Sequence, residues 1–385
     1  MRYPNHLKPS LPRGVHPLPE LMRNNGYFTA NIKNPFGSGK IDWMFQYNQK
    51  EFDGDDWSQL NENQPFYAQV NFSMVHRPYR QDKQNPINPK TVTLPPYYPD
   101  HPIARQDWAA YLESVQILDR QVGKVLDRLD QSGLADNTIV FFFTDHGRAM
   151  TRGKYWHYES GIHVPFIARF PQGIEPPSYQ AGTANHQLIS AIDITATTLA
   201  LAGIPLPKPM QGRPFYGKKA NPPRDHVFAA SDRIGEWEFQ TRSATGKRFK
   251  YIRHDKHGFS INEASTAYRK AYHPIYHVLK QLHEKNRLNP HATRLCEPLP
   301  PEELYDLKND PWELNNLAKD PKYQETKKKL KTKLDKWIKE TNDQGFADDS
   351  PKIKEAFQQY GVQSYHKYKK KIKAQAERVR KTIKG

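Results

Sequence analysis

The stretch Phe141–Phe170, FFFTDHGRAMTRGKYWHYESGIHVPFIARF, decides how the rest of the chain is read. It begins inside TIVFFFT (Thr138–Thr144), a run apolar nearly throughout, as expected of a strand covered on both faces in a parallel sheet. It ends in a second short strand that starts at Val164. Between the two lie Asp145, His146, Lys154, His157 and Glu159. Upstream, Trp108, Tyr111, Leu112, Val115, Leu118, Val122, Val125 and Leu129 recur at three- and four-residue steps, which predicts one long helix over Arg105–Leu129 closed by Gly133. Long helix, buried strand, then polar residues past the carboxyl end of the strand is the α/β arrangement in which sites form at strand termini.

Working outward, Leu18–Asn25 reads as a short helix with Gly26 as its stop, and YFTANI as a strand. FYAQVNFSM, Phe66–Met74, reads as a strand running into a histidine-containing loop, followed by a Pro-rich connection to about Pro102. Gln187–Ala202 reads as a helix closed by Gly203. Past Pro205 the pattern changes to shorter strands, His226–Ser231 and Arg248–His254, and then to charged helical sequence. The expected organisation is an α/β domain over 1–213, an α+β subdomain over 214–345 and a basic helical tail over 346–385. No internal repeat is visible.

The 385 residues suffice for a large α/β domain and an appendage, and 36% hydrophobic with 12% aromatic residues is a globular composition despite 32 prolines. A formal charge of +17 suits an anionic partner: nucleic acid, anionic lipid, or a sulfated or phosphorylated glycan. Much of the excess follows Lys322, where it also reads as solvated helix faces. Cys296 is the only cysteine, so no intrachain disulfide or CxxC metal site can form. No run nears the roughly 18 apolar residues of a membrane span, and MRYPNHLKPS has no apolar signal core.

Taken singly, the polar residues are ambiguous. Asp145 and His146 are a common divalent-metal pair, but an Asp at a strand end is also a turn cap. Lys154 lies in the Gly-flanked RGKYWHYESG, His76 in VHRP, and Lys40 in GSGKIDW, and each is also readable as an ordinary loop residue. Together, two lysines, a histidine and an Asp-His pair that all follow predicted strands suit a tetrahedral oxyanion.

These residues sit in blocks that resemble the type I, formylglycine-dependent sulfatases of the alkaline phosphatase superfamily. The blocks are GYFTAN at Gly26, GKIDW at Gly39, QPFYAQVNFSMVHRP at Gln64, FFFTDHGR at Phe141, RGKYWHYESGIHVPFIARFP at Arg152, SAIDITATTLALAGIP at Ser190 and ELYDLKNDPWELNNLAKDP at Glu303. The resemblance implies an alkaline-phosphatase-like, mostly parallel sheet flanked by helices, a smaller C-terminal α+β subdomain, and periplasmic or secreted location. It implies that Asp145 and His146 bind Ca2+, His146 standing where many members have Asn. Lys154 and His76 would bind sulfate oxygens and assist the leaving alcohol, and Lys40 would contact sulfate and nucleophile. Many members carry His two residues after that lysine; here Asp42 stands there.

The family's nucleophile is a formylglycine made in a CxPxR or SxPxR motif, which this sequence lacks: Cys296 is followed by EPLP, and SLPR at Ser10 has the wrong spacing. The family's first strand, with its Asp-Asp metal pair, is also not found. The expectation is therefore an N-terminally truncated sulfatase in which Met1 is an internal methionine, inactive by itself, with calcium held weakly and a sheet short of one strand. The implied substrate is a sulfated carbohydrate. A phosphodiesterase or phosphonate hydrolase of the same superfamily and a noncatalytic polyanion-binding homologue stay open. Nucleic acid is not expected as a partner, because the Lys-rich stretch has no groove-reading motif. Arg77, Arg148 and His157 flank the proposed site as further sugar or sulfate contacts.

Overall fold

The computed structural model describes residues 8–383; Met1 lies outside them. The architecture is mixed α/β. Helix α1 (Leu18–Arg23) leads into β1 (Phe28–Asn34), followed by β2 (Gly54–Asp56), α2 (Gln59–Glu62) and β3 (Phe66–Val70). β1 is the middle strand of a parallel sheet of order β2-β1-β3, with Phe28 opposite Phe66 and Ile32 opposite Val70. Ala30 and Ile32 are fully buried, packed with Trp57, Leu60 and Leu129. β3 ends at Val70, four residues before the sequence pattern does, so His76 sits in the loop beyond it.

Helix α3 runs over Pro102–Gln131, longer at both ends than the apolar spacing alone marks. Pro102 occupies its first turn, where no backbone N–H is missed, and His101 caps it by accepting from the Ile103 N–H at 3.2 Å. It delivers the chain to β4 (Val140–Phe143), α4 (Glu159–Ile162) and β5 (Phe166–Arg169).

Here the sequence reading is corrected. β4 does not join the parallel sheet; it pairs antiparallel with β5 alone, Val140 opposite Arg169 and Phe143 opposite Phe166. Nor is it covered on both faces, since Phe143 is 45% and Ile167 60% exposed. An apolar run marks a strand without naming its partner. Among the described residues β3 pairs only with β1, and β4 only with β5.

After α5 (Ile192–Leu201) the chain builds a four-stranded antiparallel sheet from β6 (His226–Ile234), β7 (Trp237–Gly246), β8 (Phe249–His254) and β9 (Glu302–Asp306), in sequence order. α6 (Ala267–Tyr272), α7 (Pro274–His283) and α8 (Pro290–Thr293) lie between β8 and β9. α9 (Gln324–Glu340) and α10 (Pro351–Ile383) follow. One apolar core runs from Tyr98, Trp108 and Ala109, through Met150 and Trp156 of the Asp145–His163 loop, to Phe239, Ile252, Ile275 and Leu279. That loop is thus clamped between the long helix and the antiparallel sheet; Trp156 is 1% exposed and stacks on Phe239 at 5.1 Å. No helix among the described residues is long and apolar enough to cross a membrane.

Candidate functional site

The loop after β4 folds tightly on itself. The Gly147 N–H donates to Gly161 O at 2.8 Å, and the Met150 and Lys154 N–H groups both donate to Arg148 O, at 2.8 and 2.9 Å. Its glycines are required by close approach: a Cβ on Gly147 would stand 2.1 Å from Ser160 O, and one on Gly161 2.1 Å from Trp156 O. Tyr155 takes φ 82°, a left-handed conformation that non-glycine residues rarely adopt. The loop therefore presents Lys154 and Tyr155 from a fixed frame.

Asp145, His146, Lys154, Lys40, Asp42 and His76 come together. The charges of Asp145, Arg269, Lys40 and Asp42 all act on Lys154. Burial chiefly lowers the Lys154 pKa, Asp145 opposes the shift, and Arg269 and Lys40 add to it. His146 feels Lys154, Asp145 and His76, and burial again dominates in holding its pKa down. Lys40 comes from the loop after β1, whose backbone is tied down by Asn31 and Asn71 amides donating to Lys40 O at 3.3 and 3.2 Å. Its ammonium pairs with Asp42 at 2.9 Å, both side chains more than 60% exposed. Exposed pairs of this kind are weak, so an incoming anion can take Lys40 from Asp42. The hydrogen bond from Lys40 is the main reason the Asp42 pKa is lowered.

The two histidines are oriented alike. His76 Nδ1 donates to Arg77 O at 2.7 Å and His146 Nδ1 to Gly147 O at 2.8 Å, which leaves each Nε2 directed outward.

Residues that the sequence reading did not single out hold the site from behind. Arg269 on α6 is 5% exposed, and its guanidinium donates to Lys154 O at 2.9 Å and lies 5.3 Å from the Tyr155 ring. It has no carboxylate partner among the described residues, and burial brings its pKa down to about 10. Beside it, Tyr268 donates to Arg77 O at 2.9 Å, and buried His273 faces Arg77, Arg269, His76 and Lys154. Nothing in the local pattern of STAYRKAYH marks these residues, because their partners lie more than a hundred positions away.

Two of the flanking residues read as sugar contacts are corrected. Arg77 is 5% exposed and makes a two-pronged ion pair with Asp107 at 2.7 and 2.6 Å, while also donating to Ala149 O and Tyr272 O. It joins the His76 loop, α3, the Asp145 loop and α6 from inside. His157 is 2% exposed and bonds Ser231 Oγ at 3.0 Å. Arg148 is half-buried, directed onto the Tyr97 hydroxyl with its guanidinium 5.1 Å from the Trp108 ring.

The donor set does not by itself fit calcium. Asp145 Oδ2 lies 3.4 Å from His146 Nε2 and 84% of the Asp145 side chain is exposed, but no group of three or more His, Cys, Asp or Glu among the described residues could hold a metal ion. One carboxylate and one imidazole fall far short of six to eight oxygens. Cys296 is not a hidden nucleophile either, since burial pushes its thiol up to about 12.

A family model for sulfatases matches residues 1–204. The chain belongs to the sulfatase family. It is 30% identical over 387 aligned residues to an ulvan-active sulfatase of Formosa agariphila, covering 89% of this chain and 62% of that protein. It is 26% identical to an endo-4-O-sulfatase of Bacteroides thetaiotaomicron, covering 78% of this chain and 59% of that one. This sulfatase chain therefore spans about three-fifths of the length of these relatives. Among solved structures, a 2-O GAG sulfatase superposes with a TM-score of 0.62 at 19% identity, over 92% of this chain and 81% of the other, a likeness of fold.

Proposed function

We propose that this sulfatase-family chain binds a sulfate ester of a carbohydrate at the cluster formed by Lys40, His76 and Lys154, with Asp145 and His146 at its edge. The single observation that carries the reading is the convergence of these residues, from three separate loops, on one cationic site backed by the Arg269 guanidinium, which has no carboxylate partner among the described residues. Lys40 and Lys154 would take the charge of the sulfuryl oxygens, and His76, whose Nδ1–H is spent on Arg77 O, adds an Nε2–H donor in its protonated form. Were a nucleophile to bond to sulfur and the ester S–O bond to break, the leaving alkoxide would need a proton. Lys154, made more acidic by burial and by neighbouring cations, is suited to give it, with the protonated form of His76 as the second donor.

Calcium, if bound, would neutralise sulfuryl charge, with Asp145 and His146 supplying two of its ligands. Two donors alone do not make a calcium site. The motif that yields the formylglycine nucleophile is not in this sequence. The chain as it stands should thus recognise sulfate esters without hydrolysing them. Sulfated glycans as ligands are supported by the names of the relatives, among them the ulvan-active sulfatase, and a periplasmic or secreted setting accords with such ligands.

A noncatalytic polyanion-binding role is the second reading, supported by the formal charge of +17. Two measurements on the purified full chain separate the readings: calorimetric titration with sulfated and desulfated ulvan oligosaccharides, and sulfate release from an aryl sulfate. Sulfate-dependent binding that falls about tenfold or more in Lys154→Ala is expected, one charge-assisted hydrogen bond being worth that much. Equal binding of the desulfated sugar would overturn the site. Measurable sulfate release would overturn the stated lack of hydrolysis.

A further inference from the structure

Helix α10 is the most cationic element of the fold, with ten Lys and Arg against two Glu over Pro351–Ile383. It is not loose. Phe357, Ser364, Val379 and Ile383 are buried, Gly361 lets the helix approach within van der Waals contact of Glu236, and Thr382 bonds His101 at the start of α3. Its middle turns lie against α6. There the Tyr368 ring stands 5.8 Å from both Tyr268 and Tyr272, which are 4.8 Å from each other. Lys371 Nζ lies 3.7 Å from the Tyr272 ring centroid, and Lys367 Nζ 5.3 Å from that of Tyr368. Tyr268 in turn is 6.3 Å from the His76 ring. A continuous track thus leads from the sulfate-ester site, over three partly exposed tyrosines, to exposed lysines that form no ion pair among the described residues.

We propose that this track is a subsite for the neighbouring residue of a sulfated oligosaccharide, with the tyrosines flanking the sugar ring and Lys367 and Lys371 taking its sulfate or carboxylate. The proposal rests on the sulfate-ester reading of the adjoining site. A sugar ring offers apolar C–H faces as well as oxygens, so aromatic walls and cations side by side match it better than either alone. The ring-to-ring steps of 4.8 to 6.3 Å are comparable with the length of one pyranose residue. Because α10 is pinned at both ends, the wall is already formed before the ligand arrives, and little ordering cost is added on binding.

The test is calorimetric titration of the full chain with a sulfated monosaccharide and an octasaccharide, both prepared from ulvan, and with single-stranded DNA, for the unaltered protein, the Lys367→Glu/Lys371→Glu double variant and Lys154→Ala. Both lysines are exposed, and circular dichroism checks that the double variant keeps its helices. It is expected to lose about a hundredfold in octasaccharide affinity, tenfold for each lysine contact, while monosaccharide affinity stays within about twofold. Equal loss for both sugars, or loss for neither, overturns the subsite. DNA binding as tight as that of the octasaccharide, lost in the same double variant, overturns it in favour of nucleic acid. A Lys154→Ala protein that binds the sulfated monosaccharide unchanged instead refutes the underlying sulfate-ester reading.

Discussion

Lys250 makes a sharp test of how the site loop is held. It lies on β8 with its side chain 0% exposed, and its ammonium donates to Glu159, at the start of α4, and to Glu313 at 2.9 Å. Glu313 is itself 1% exposed at its side chain, accepts from the Glu159 N–H at 2.8 Å and has the Arg152 guanidinium 3.8 Å away. Lys250→Met keeps the apolar stem and deletes the charge, so two carboxylates face each other with only Arg152 and His163 to balance them. Breaking a buried pair from one side costs about 3–5 kcal/mol. Burial works against ionisation of Glu159, yet hydrogen bonds from His163 and Lys250 outweigh it and hold the carboxyl at about 2. A depressed carboxyl stabilises the fold above its unfolded value of about 4.3, and that stability is lost as pH falls toward 2. The variant should therefore lose less between those limits than the parent does. Urea unfolding followed by tryptophan fluorescence at pH 7 and across pH 5 to 3 reads both effects. Adding Glu159→Gln and Glu313→Gln to the variant should recover most of the loss. A cost under about 1 kcal/mol at pH 7, with an unchanged acid limb, would refute the reasoning.

Three further outcomes are expected. Gly161→Ala, whose new methyl would meet Trp156 O at 2.1 Å and Gly153 O at 2.6 Å, should cost about 1–3 kcal/mol of stability and weaken binding of sulfated sugar, both measured on the same preparation. The Cys296 thiol, pushed up to about 12 by burial, should react with a disulfide reagent at pH 8 far more slowly than free cysteine, and full reaction within the mixing time would contradict its assigned environment. Calcium titrated into the chain should bind with a Kd of about 10⁻³ M or weaker, given two donors; micromolar affinity would reveal ligands not recognised at Asp145 and His146.

Local chemistry made much of this molecule legible. The 3–4 spacing of α3 and the apolar runs of β1, β3, β4 and β5 placed those elements, and the loops after β1, β3 and β4 carried the polar residues that meet at the site. What stayed hidden was pairing and support. The four-residue apolar run of β4 does not state whether its partner is parallel, and the structure gives β5, antiparallel. The polar Glu238, Gln240 and Arg242 in WEFQTRSATG hide β7; Arg242 is fully buried with Asp232 and Asp343 as its carboxylate partners, the latter about a hundred positions on. Arg77 looked like a ligand contact because a lone loop arginine gives no sign of Asp107. Arg269 and Tyr268 act on Lys154 and Arg77 from another part of the chain, which no periodicity records.

The central claim is a place: one sulfuryl group held between Lys40, His76 and Lys154. A crystal structure of the full chain with a sulfated ulvan oligosaccharide, its sulfur atoms located by anomalous scattering, tests it most directly. The expected result is an ester sulfate within hydrogen-bonding reach of Lys40 Nζ, Lys154 Nζ and His76 Nε2, with the next sugar beside Tyr268. A well-ordered oligosaccharide whose sulfates all sit elsewhere, with those three side chains unchanged, would contradict it.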